Sequence, residues 1–336
     1  MSVPLVSVVI PARDEAQHLA ACLTAVAAQD HPHDRLEVIV VVDGATRDGT
    51  AELGREALEH ADFARTLVMV NAEGGIPGNL NVGMSRARGD VLCRVDARSR
   101  IPPDYVRRCA ELLAGRPDVA VVGGAQVAVV PLDGARGAGI ARALNNRWGM
   151  GWSRYRRDAP SGPSDTVYLG AFRADQLRDA GGWDSEMATN EDFELNRRLR
   201  RRGIVWYEAG LPVGYVPRAS LRELYRQYRR FGRWKVRYWR RTRDAPRGRQ
   251  LALLVGLPAG AALVALALVL LHGLVLVGVV ASVVGGVLVV EVAGSRRPRG
   301  GPAVHGWSTA ALGAVGFGWL RGAWTELLTG GGRDRG

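Results

Sequence analysis

Cysteine is scarce in this chain, with three among 336 residues. Cys22, Cys93 and Cys109 are odd in number and lack the paired spacing of a metal site, so no disulfide framework is expected. They are expected instead as small core residues in a reducing compartment. Lysine is scarcer still: Lys235 stands alone, and the other basic side chains among the 45 are arginines, set against 33 acidic ones for a net charge of +12. No GxGxxG follows the first apolar run, which disfavours a dinucleotide fold. No signal peptide is visible, because Val3 to Ile10 runs straight into Pro11-Ala12-Arg13-Asp14-Glu15 without a cleavage site. The head is therefore expected to stay in the cytoplasm. A hydrophobic content of 47% excludes a disordered or collagen-like chain.

The first 130 residues alternate between two periods. Ser7 to Ile10, Glu37 to Val42, Thr66 to Val70, Asp90 to Val95 and Val119 to Val122 are short runs rich in β-branched residues. Helical patterns lie between them, at Glu15 to Ala28, Gly49 to His60, Asn79 to Arg88 and Pro103 to Ala114. Near-continuous apolar strands alternating with helices predict a mostly parallel sheet covered on both faces. Ligands of such sheets sit beyond the carboxyl ends of the strands, and polar residues follow each strand here. Arg13-Asp14-Glu15 follows the first, Asp43 to Thr50 the second, Asn71 to Gly75 the third and Asp96-Ala97-Arg98 the fourth. Carboxylates from several strand ends at one edge predict a pocket.

Further along stand Asp165 to Arg173 and Gly181-Gly182-Trp183-Asp184. Asn190-Glu191-Asp192 then opens a helix, where acidic residues could simply complement the helix dipole. Residues 218–249 hold thirteen basic residues against two acidic ones, with Tyr225, Tyr228, Phe231, Trp234, Tyr238 and Trp239 spaced mostly three or four apart. An aromatic stripe beside an arginine-rich face reads as an interfacial helix on anionic headgroups. The same charge would suit nucleic acid, but no nucleic-acid motif accompanies it, and no such partner is expected. Residues 251–271 form a run of 21 residues without a charge, and 274–291 a second run around a turn at His272-Gly273. Both are expected to cross a bilayer as a hairpin, with arginines on the cytoplasmic side before the first span and at Arg296, Arg297 and Arg299 after the second. The stretch 304–328, interrupted by Arg321 and Glu326, either spans or lies in the interface, and spanning is the expectation.

These features together resemble glycosyltransferase family 2, in the branch similar to succinoglycan-type exopolysaccharide glucosyltransferases. The resemblance rests on Val8-Val9-Ile10-Pro11-Ala12-Arg13-Asp14-Glu15, Val42 to Thr50, Asn81-Val82-Gly83 with Ala87-Arg88-Gly89-Asp90, and Arg94-Val95-Asp96-Ala97-Arg98. Gly170-Ala171-Phe172-Arg173, Gly181 to Asp184, Asn190-Glu191-Asp192 and Gln227 to Trp234 follow in the family's order. It implies an α/β fold with a GT-A nucleotide-sugar-binding domain over 1–217 (a mostly parallel sheet flanked by helices). A basic aromatic interfacial helix over 218–249 follows. A membrane domain over 250–328 and a tail over 329–336 complete the chain.

The resemblance also implies roles. Pro11, Ala12, Arg13, Glu15 and Asp43 would bind the base and ribose of a UDP-sugar, although Asp43 before glycine is also an ordinary turn former. Asp96 matches the first acid of the family's metal motif and would hold Mg²⁺ or Mn²⁺ against the diphosphate. Arg98 stands at the second acid position. A guanidinium cannot ligate a metal but can pair with a phosphate, so either Asp96 anchors the cation alone or Arg98 takes part of its role. Asp192 would be the general base of an inverting transfer, with Glu191 orienting the loop or capping the helix. Gly170, Ala171, Phe172 and Trp183 would line the acceptor site, with Phe172 or Trp183 stacking on a sugar ring. Gln227, Arg230, Arg233 and Trp234 resemble the family's acceptor and diphosphate element, with membrane anchoring as the alternative. The expected protein is a multi-pass membrane enzyme with a cytoplasmic head, moving a hexose to a lipid-linked or growing glycan. A polyprenyl-phosphate sugar transferase is the rival enzyme, and a non-catalytic membrane-anchored nucleotide-sugar or nucleic-acid binding protein the rival from another class.

Overall fold

The computed structural model describes residues 3–130, 134–149, 153–157, 159–246, 248–270, 274–294 and 301–330. The chain divides into two compact units, one formed by Met1–Val129 and Trp152–Val216, the other by Val130–Gly151 and Pro217–Gly336. Residues 130–151, expected within the first domain, thus group with the C-terminal helices.

The first unit begins with β1 (Val6–Ala12), α1 (Ala16–Ala27), β2 (Leu36–Asp43), α2 (Thr50–Leu58), β3 (Arg65–Asn71), α3 (Ile76–Arg86), β4 (Val91–Arg94), β5 (Ser99–Arg100), α4 (Tyr105–Gly115) and β6 (Val119–Ala128). After α5 (Ala135–Leu144), which belongs to the second unit, come β7 (Gly162–Pro163), β8 (Tyr168–Arg173), α6 (Ala174–Asp179), α7 (Glu191–Leu199) and β9 (Ile204–Tyr215). The strands form one sheet in the order β3-β2-β1-β4-β8-β6-β9-β5, with β7 on β9. The β3-β2-β1-β4 half is parallel. Antiparallel β8 joins it to β6, which pairs in parallel with β9.

Alternation along the strands explains why both faces are apolar. Val8, Ile10, Val38, Val40 and Cys93 pack into one buried cluster with α1 and α4 residues such as Leu19, Cys22 and Cys109. Val9, Ile39, Val41 and Leu92 face the opposite cluster, with Leu80, Leu177, Trp183 and Leu195. Side chains alternate with period two along a strand, so Arg94, two residues after Leu92, falls on that second face. All three cysteines are buried and free, as expected of core residues.

The second unit holds α5, α8 (Leu221–Thr242), α9 (Gly248–Leu251), a π-helical turn (Ala252–Gly256), α10 (Leu257–Leu270), α11 (Leu274–Gly294) and α12 (Pro302–Thr329). Ser220 caps α8, its hydroxyl accepting the Glu223 N–H at 3.2 Å. Two aromatics of the α8 stripe pack against α12. Tyr225 stacks on Phe317, and Trp239 meets Trp319 edge to face. Glycines bring the two backbones together: a Cβ on Gly232 would lie 2.0 Å from the Trp319 carbonyl oxygen, and one on Gly322 1.9 Å from that of Arg229. The segment 304–328 is therefore one continuous helix with the basic helix as its partner, and Glu326 is buried where Arg237 meets it at 2.9 Å.

Among the described residues, no helix is long and apolar enough to cross a membrane. The expected spans 251–271 and 274–291 fall on α9, the π-helical turn, α10 and α11, and the expected turn at His272-Gly273 and basic loop 295–299 lie outside the described residues.

Candidate active site

Four parallel strands deliver their carboxyl ends to one edge of the first unit. Ala12 pairs in register with Val42, Asp43 with Asn71, and Arg94 with Val9. The loops beyond them are stapled by side chains. Asp14, held at φ 51°, accepts the Arg47 N–H at 2.8 Å, and Asp48 accepts that of Ala16 at 3.0 Å. The Thr50 hydroxyl accepts the N–H of Glu15 at 2.9 Å. Asp43 accepts N–H groups from Ala45 at 2.9 Å and from Gly75 at 2.6 Å, so it shapes two adjoining loops, the turn-building role open to it from the sequence. Gly74 must be glycine there: its φ is +65°, and a Cβ would sit 2.8 Å from the Asp43 carboxylate. Pro11 and Ala12 end a buried strand, while Arg13 is exposed.

Arg98 donates from Nε to Glu15 Oε1 at 2.8 Å, so the arginine at the second acid position is paired with an expected donor-binding carboxylate. Two residues before Asp96, Arg94 is buried and gathers three acids. Its Nε donates to Asp96 Oδ1 at 2.8 Å, and its Nη1 to Glu191 Oε1 at 3.1 Å and Asp192 Oδ1 at 2.5 Å. Asn190, in the left-handed region at φ 68°, opens α7 and is followed by both acids. The Trp183 indole N–H also donates to Asp192 Oδ1, at 3.0 Å. Trp183 is itself clasped by Asn81, whose amide accepts the Trp183 N–H at 2.9 Å and donates to its carbonyl at 2.7 Å.

Electrostatics follow from this burial. Desolvation pushes the Glu191 carboxyl up to about 7, the Asp192 charge adds to the rise and Arg94 opposes it. Asp192 is also raised by burial; Arg94 and the Trp183 N–H pull it down, and the Asp96 charge pushes it up. Burial works against the Arg94 charge, but the three carboxylates win and hold it protonated. The site is a desolvated acid pair stabilised by one guanidinium, an arrangement able to hold and release a proton near neutrality.

Among the described residues, no group of three His, Cys, Asp or Glu side chains comes together to hold a metal. Asp96 keeps 32% of its side chain exposed, with Oδ1 on Arg94. One carboxylate with substrate phosphates is an ordinary magnesium-type donor set, so the residues fit a cation that arrives with a diphosphate.

The structure brings Glu15, Arg98, Asp96, Glu191, Asp192 and Trp183 together through direct bonds or chain adjacency, with Asp43 at the same sheet edge. It corrects the ring-stacking expectation. Phe172 and Trp183 are 2% and 1% exposed and pack edge to face at 5.6 Å, so neither offers a ring face to a sugar. Gly170 and Ala171 lie in β8, where a Cβ on Gly170 would strike the Phe172 ring at 2.5 Å. Gln227, Arg230, Arg233 and Trp234 sit on α8 in the other unit. Arg233 lies 3.6 Å from Glu326, and Arg237 covers the Trp234 ring at 4.8 Å, so this element is engaged within its own unit. Arg94 and Asn81 carried no assigned role from the sequence. The signal for Arg94 was its parity: a charge on the buried face of a strand demands partners.

Comparison with known proteins meets this geometry. The profile described as Glycosyl transferase family 2 matches residues 7–168, and that of Glycosyl transferase family group 2 matches residues 92–294. The succinoglycan biosynthesis protein ExoA of Rhizobium meliloti (strain 1021) is 30% identical over 325 residues, 96% of this chain and 94% of its own. The chain belongs to glycosyltransferase family 2. Glycosyltransferase AglE of Haloferax volcanii is 26% identical over 238 residues, covering 71% of this glycosyltransferase and 75% of its own length. The mannosyltransferase PcManGT from Pyrobaculum calidifontis, solved with GDP-Man and Mn²⁺, superimposes with a TM-score of 0.65 at 21% identity, over 98% of this chain and 88% of that one. This likeness establishes the GT-A α/β fold. Family membership makes the protein an enzyme, and the non-catalytic binding reading gives way.

Proposed function

We propose that this glycosyltransferase is an inverting enzyme that moves a hexose from a UDP-sugar to a hydroxyl of a lipid-linked or growing glycan, in surface polysaccharide biosynthesis at the cytoplasmic face of the cell membrane. The observation that carries the reading is Asp192: Arg94 and the Trp183 indole both donate to its Oδ1, while 27% of the side chain stays exposed. Oδ2 is then the oxygen that takes a proton. The acceptor oxygen forms its bond to the anomeric carbon as the carbon–phosphate oxygen bond breaks; the hydroxyl proton goes to Asp192 Oδ2 and the electron pair leaves with the nucleoside diphosphate. Glu15 and Arg98, with the loops shaped by Asp43, Asp14 and Asp48, receive the nucleotide. A Mg²⁺ or Mn²⁺ ion, when bound, would be held by Asp96 and would neutralise diphosphate charge.

Membrane attachment is supported by α10 and α11, whose side chains Leu257, Leu263, Leu266, Val277, Val283 and Val289 are exposed without a charged neighbour in sequence. Exposed apolar side chains in such number call for a nonaqueous or protein cover. Asp192→Asn tests the reading: transfer should fall by at least about a thousandfold, within the range of general-base catalysis, while UDP affinity stays near that of the wild type. Full turnover by the variant rejects the base assignment. Thermal stabilisation by UDP-glucose, UDP-galactose, UDP-N-acetylglucosamine and GDP-mannose ranks the donors, and analysis of the lipid product separates a glycan hydroxyl acceptor from a polyprenyl phosphate.

A further inference from the structure

Arg94 bonds three carboxylates of the site, and neither the proton transfer nor the glycosyl transfer assigns it a step. It closes β4 on the face of the sheet that also carries α7, and its side chain is 5% exposed. The three are Asp96 from the loop after β4, and Glu191 and Asp192 from the start of α7. The charges that act on Asp192 are those of Arg94, Asp96 and Glu191, and the Trp183 indole adds a neutral N–H to its carboxylate. A buried arginine left without partners is costly, and so are buried carboxylates without one. The planar guanidinium presents Nε and Nη1 along fixed directions, so the acids it binds are held at set positions relative to one another.

We propose that Arg94 is a positioning residue that ties the carboxylate facing the donor diphosphate, Asp96, to the carboxylate receiving the acceptor's proton, Asp192. One rigid fork then sets the spacing between the leaving-group side and the base side of the reaction before either substrate arrives. Holding Asp192 by Oδ1 also leaves Oδ2 as the reactive oxygen. This rests on the reading of Asp192 as the base. Lysine cannot replace the fork, because its ammonium is a point charge on a flexible stem.

The test uses the full chain and four proteins: Arg94→Met, Arg94→Lys, Asp192→Asn and the Arg94→Met/Asp192→Asn double variant. Transfer is measured at saturation from a mixture of UDP-glucose, UDP-galactose, UDP-N-acetylglucosamine and GDP-mannose, labelled in the sugar, into a membrane lipid extract. UDP affinity is measured by calorimetry. A misplaced reacting group costs about a hundredfold, so Arg94→Met should lose about that much in turnover with UDP affinity changed less than about threefold. Arg94→Lys should recover only part of the loss. The double variant should be no slower than Asp192→Asn, since no base remains to be positioned.

Wild-type turnover in Arg94→Met, full recovery by Arg94→Lys, or a parallel loss of UDP affinity would each overturn the proposal. So would a double variant clearly slower than Asp192→Asn alone. If Arg94→Met does not fold, Arg94→Lys decides: reduced turnover at unchanged UDP affinity supports the fork, and wild-type turnover rejects it. An active Asp192→Asn defeats the base reading itself, whereas an inactive Asp192→Asn beside an unimpaired Arg94→Met defeats only the role of Arg94.

Discussion

Replacing Trp183 by Phe removes one N–H and leaves an aromatic ring against Phe172. The lost bond is the 3.0 Å contact to Asp192 Oδ1. A hydrogen bond to a charged group contributes about 1.5–3 kcal/mol, and a pKa unit corresponds to about 1.4 kcal/mol, so the bond is worth roughly one to two units. Its sign is fixed by which form it favours. An N–H donated to a carboxylate stabilises the ionised form and holds the pKa down, as it does here against the opposing effect of burial. Without the indole, Asp192 takes up its proton at higher pH. Because the base must be ionised to act, the acidic limb of the kcat/KM profile for transfer should move up by about one to two pH units. Well above that limb the variant should approach wild-type turnover. Trimming a buried side chain lowers stability by about 1–3 kcal/mol, so a reduced Tm is expected as well, and assays belong well below it. Unchanged UDP affinity with an unmoved acidic limb would refute the argument that the indole tunes the base.

Glu191→Gln tests the other member of the acid pair through stability. The Glu191 pKa is raised from 4.5 to about 7 in the folded state, so the native protein holds a proton there that the unfolded chain releases. Stability contributed by this group is present below pH 4.5 and is lost as pH rises to about 7. The melting temperature of the glutamine variant, measured against the wild type, should therefore climb across that window and level off above it. In Gly83→Ala the new methyl would lie 2.3 Å from Val9 Cγ1 in buried β1. Overpacking of this kind costs about 1–3 kcal/mol, and a Tm lower by about 2–4 °C per kcal/mol should follow. Treatment with EDTA should abolish transfer and added Mn²⁺ restore it; undiminished transfer after chelation would place the neutralising role on Arg98 instead.

The parallel half of the sheet was legible in the sequence because its strands are buried on both faces, and such strands read as unbroken β-branched runs. Strands β8 and β9 were harder to see. β9 carries Glu208, Ala209 and Gly210, exposed or half-buried residues that break the apolar pattern, and β8 was visible only as a motif. Among the site residues, Glu15, Asp96 and Asp192 were legible from position at strand ends and at a helix start. Phe172 and Trp183 were misjudged because an aromatic beside glycines looks alike whether it faces a sugar or a core, and only packing separates the two. Arg94 was in plain sight within Arg94-Val95-Asp96, but two of its three carboxylate partners, Glu191 and Asp192, lie nearly a hundred residues away, a distance no local pattern reports. The aromatic stripe of α8 was read as facing lipid; Gly232, Gly318 and Gly322, which admit α12 to that stripe, give the competing explanation.

The chain leaves its first compact unit at residue 129, returns near 152 and leaves again after 216. A protein shortened at residue 217 would keep α5 with its buried Ile140, Arg142 and Ala143 but lose α12, against which α5 packs, and Glu291, with which Arg142 pairs. Such a truncation would expose apolar surface of α5 and remove the Glu291 partner of Arg142, and aggregation is the expected outcome even though every strand of the sheet is retained. A cut that follows the unit boundaries would remove 130–151 as well as the end of the chain.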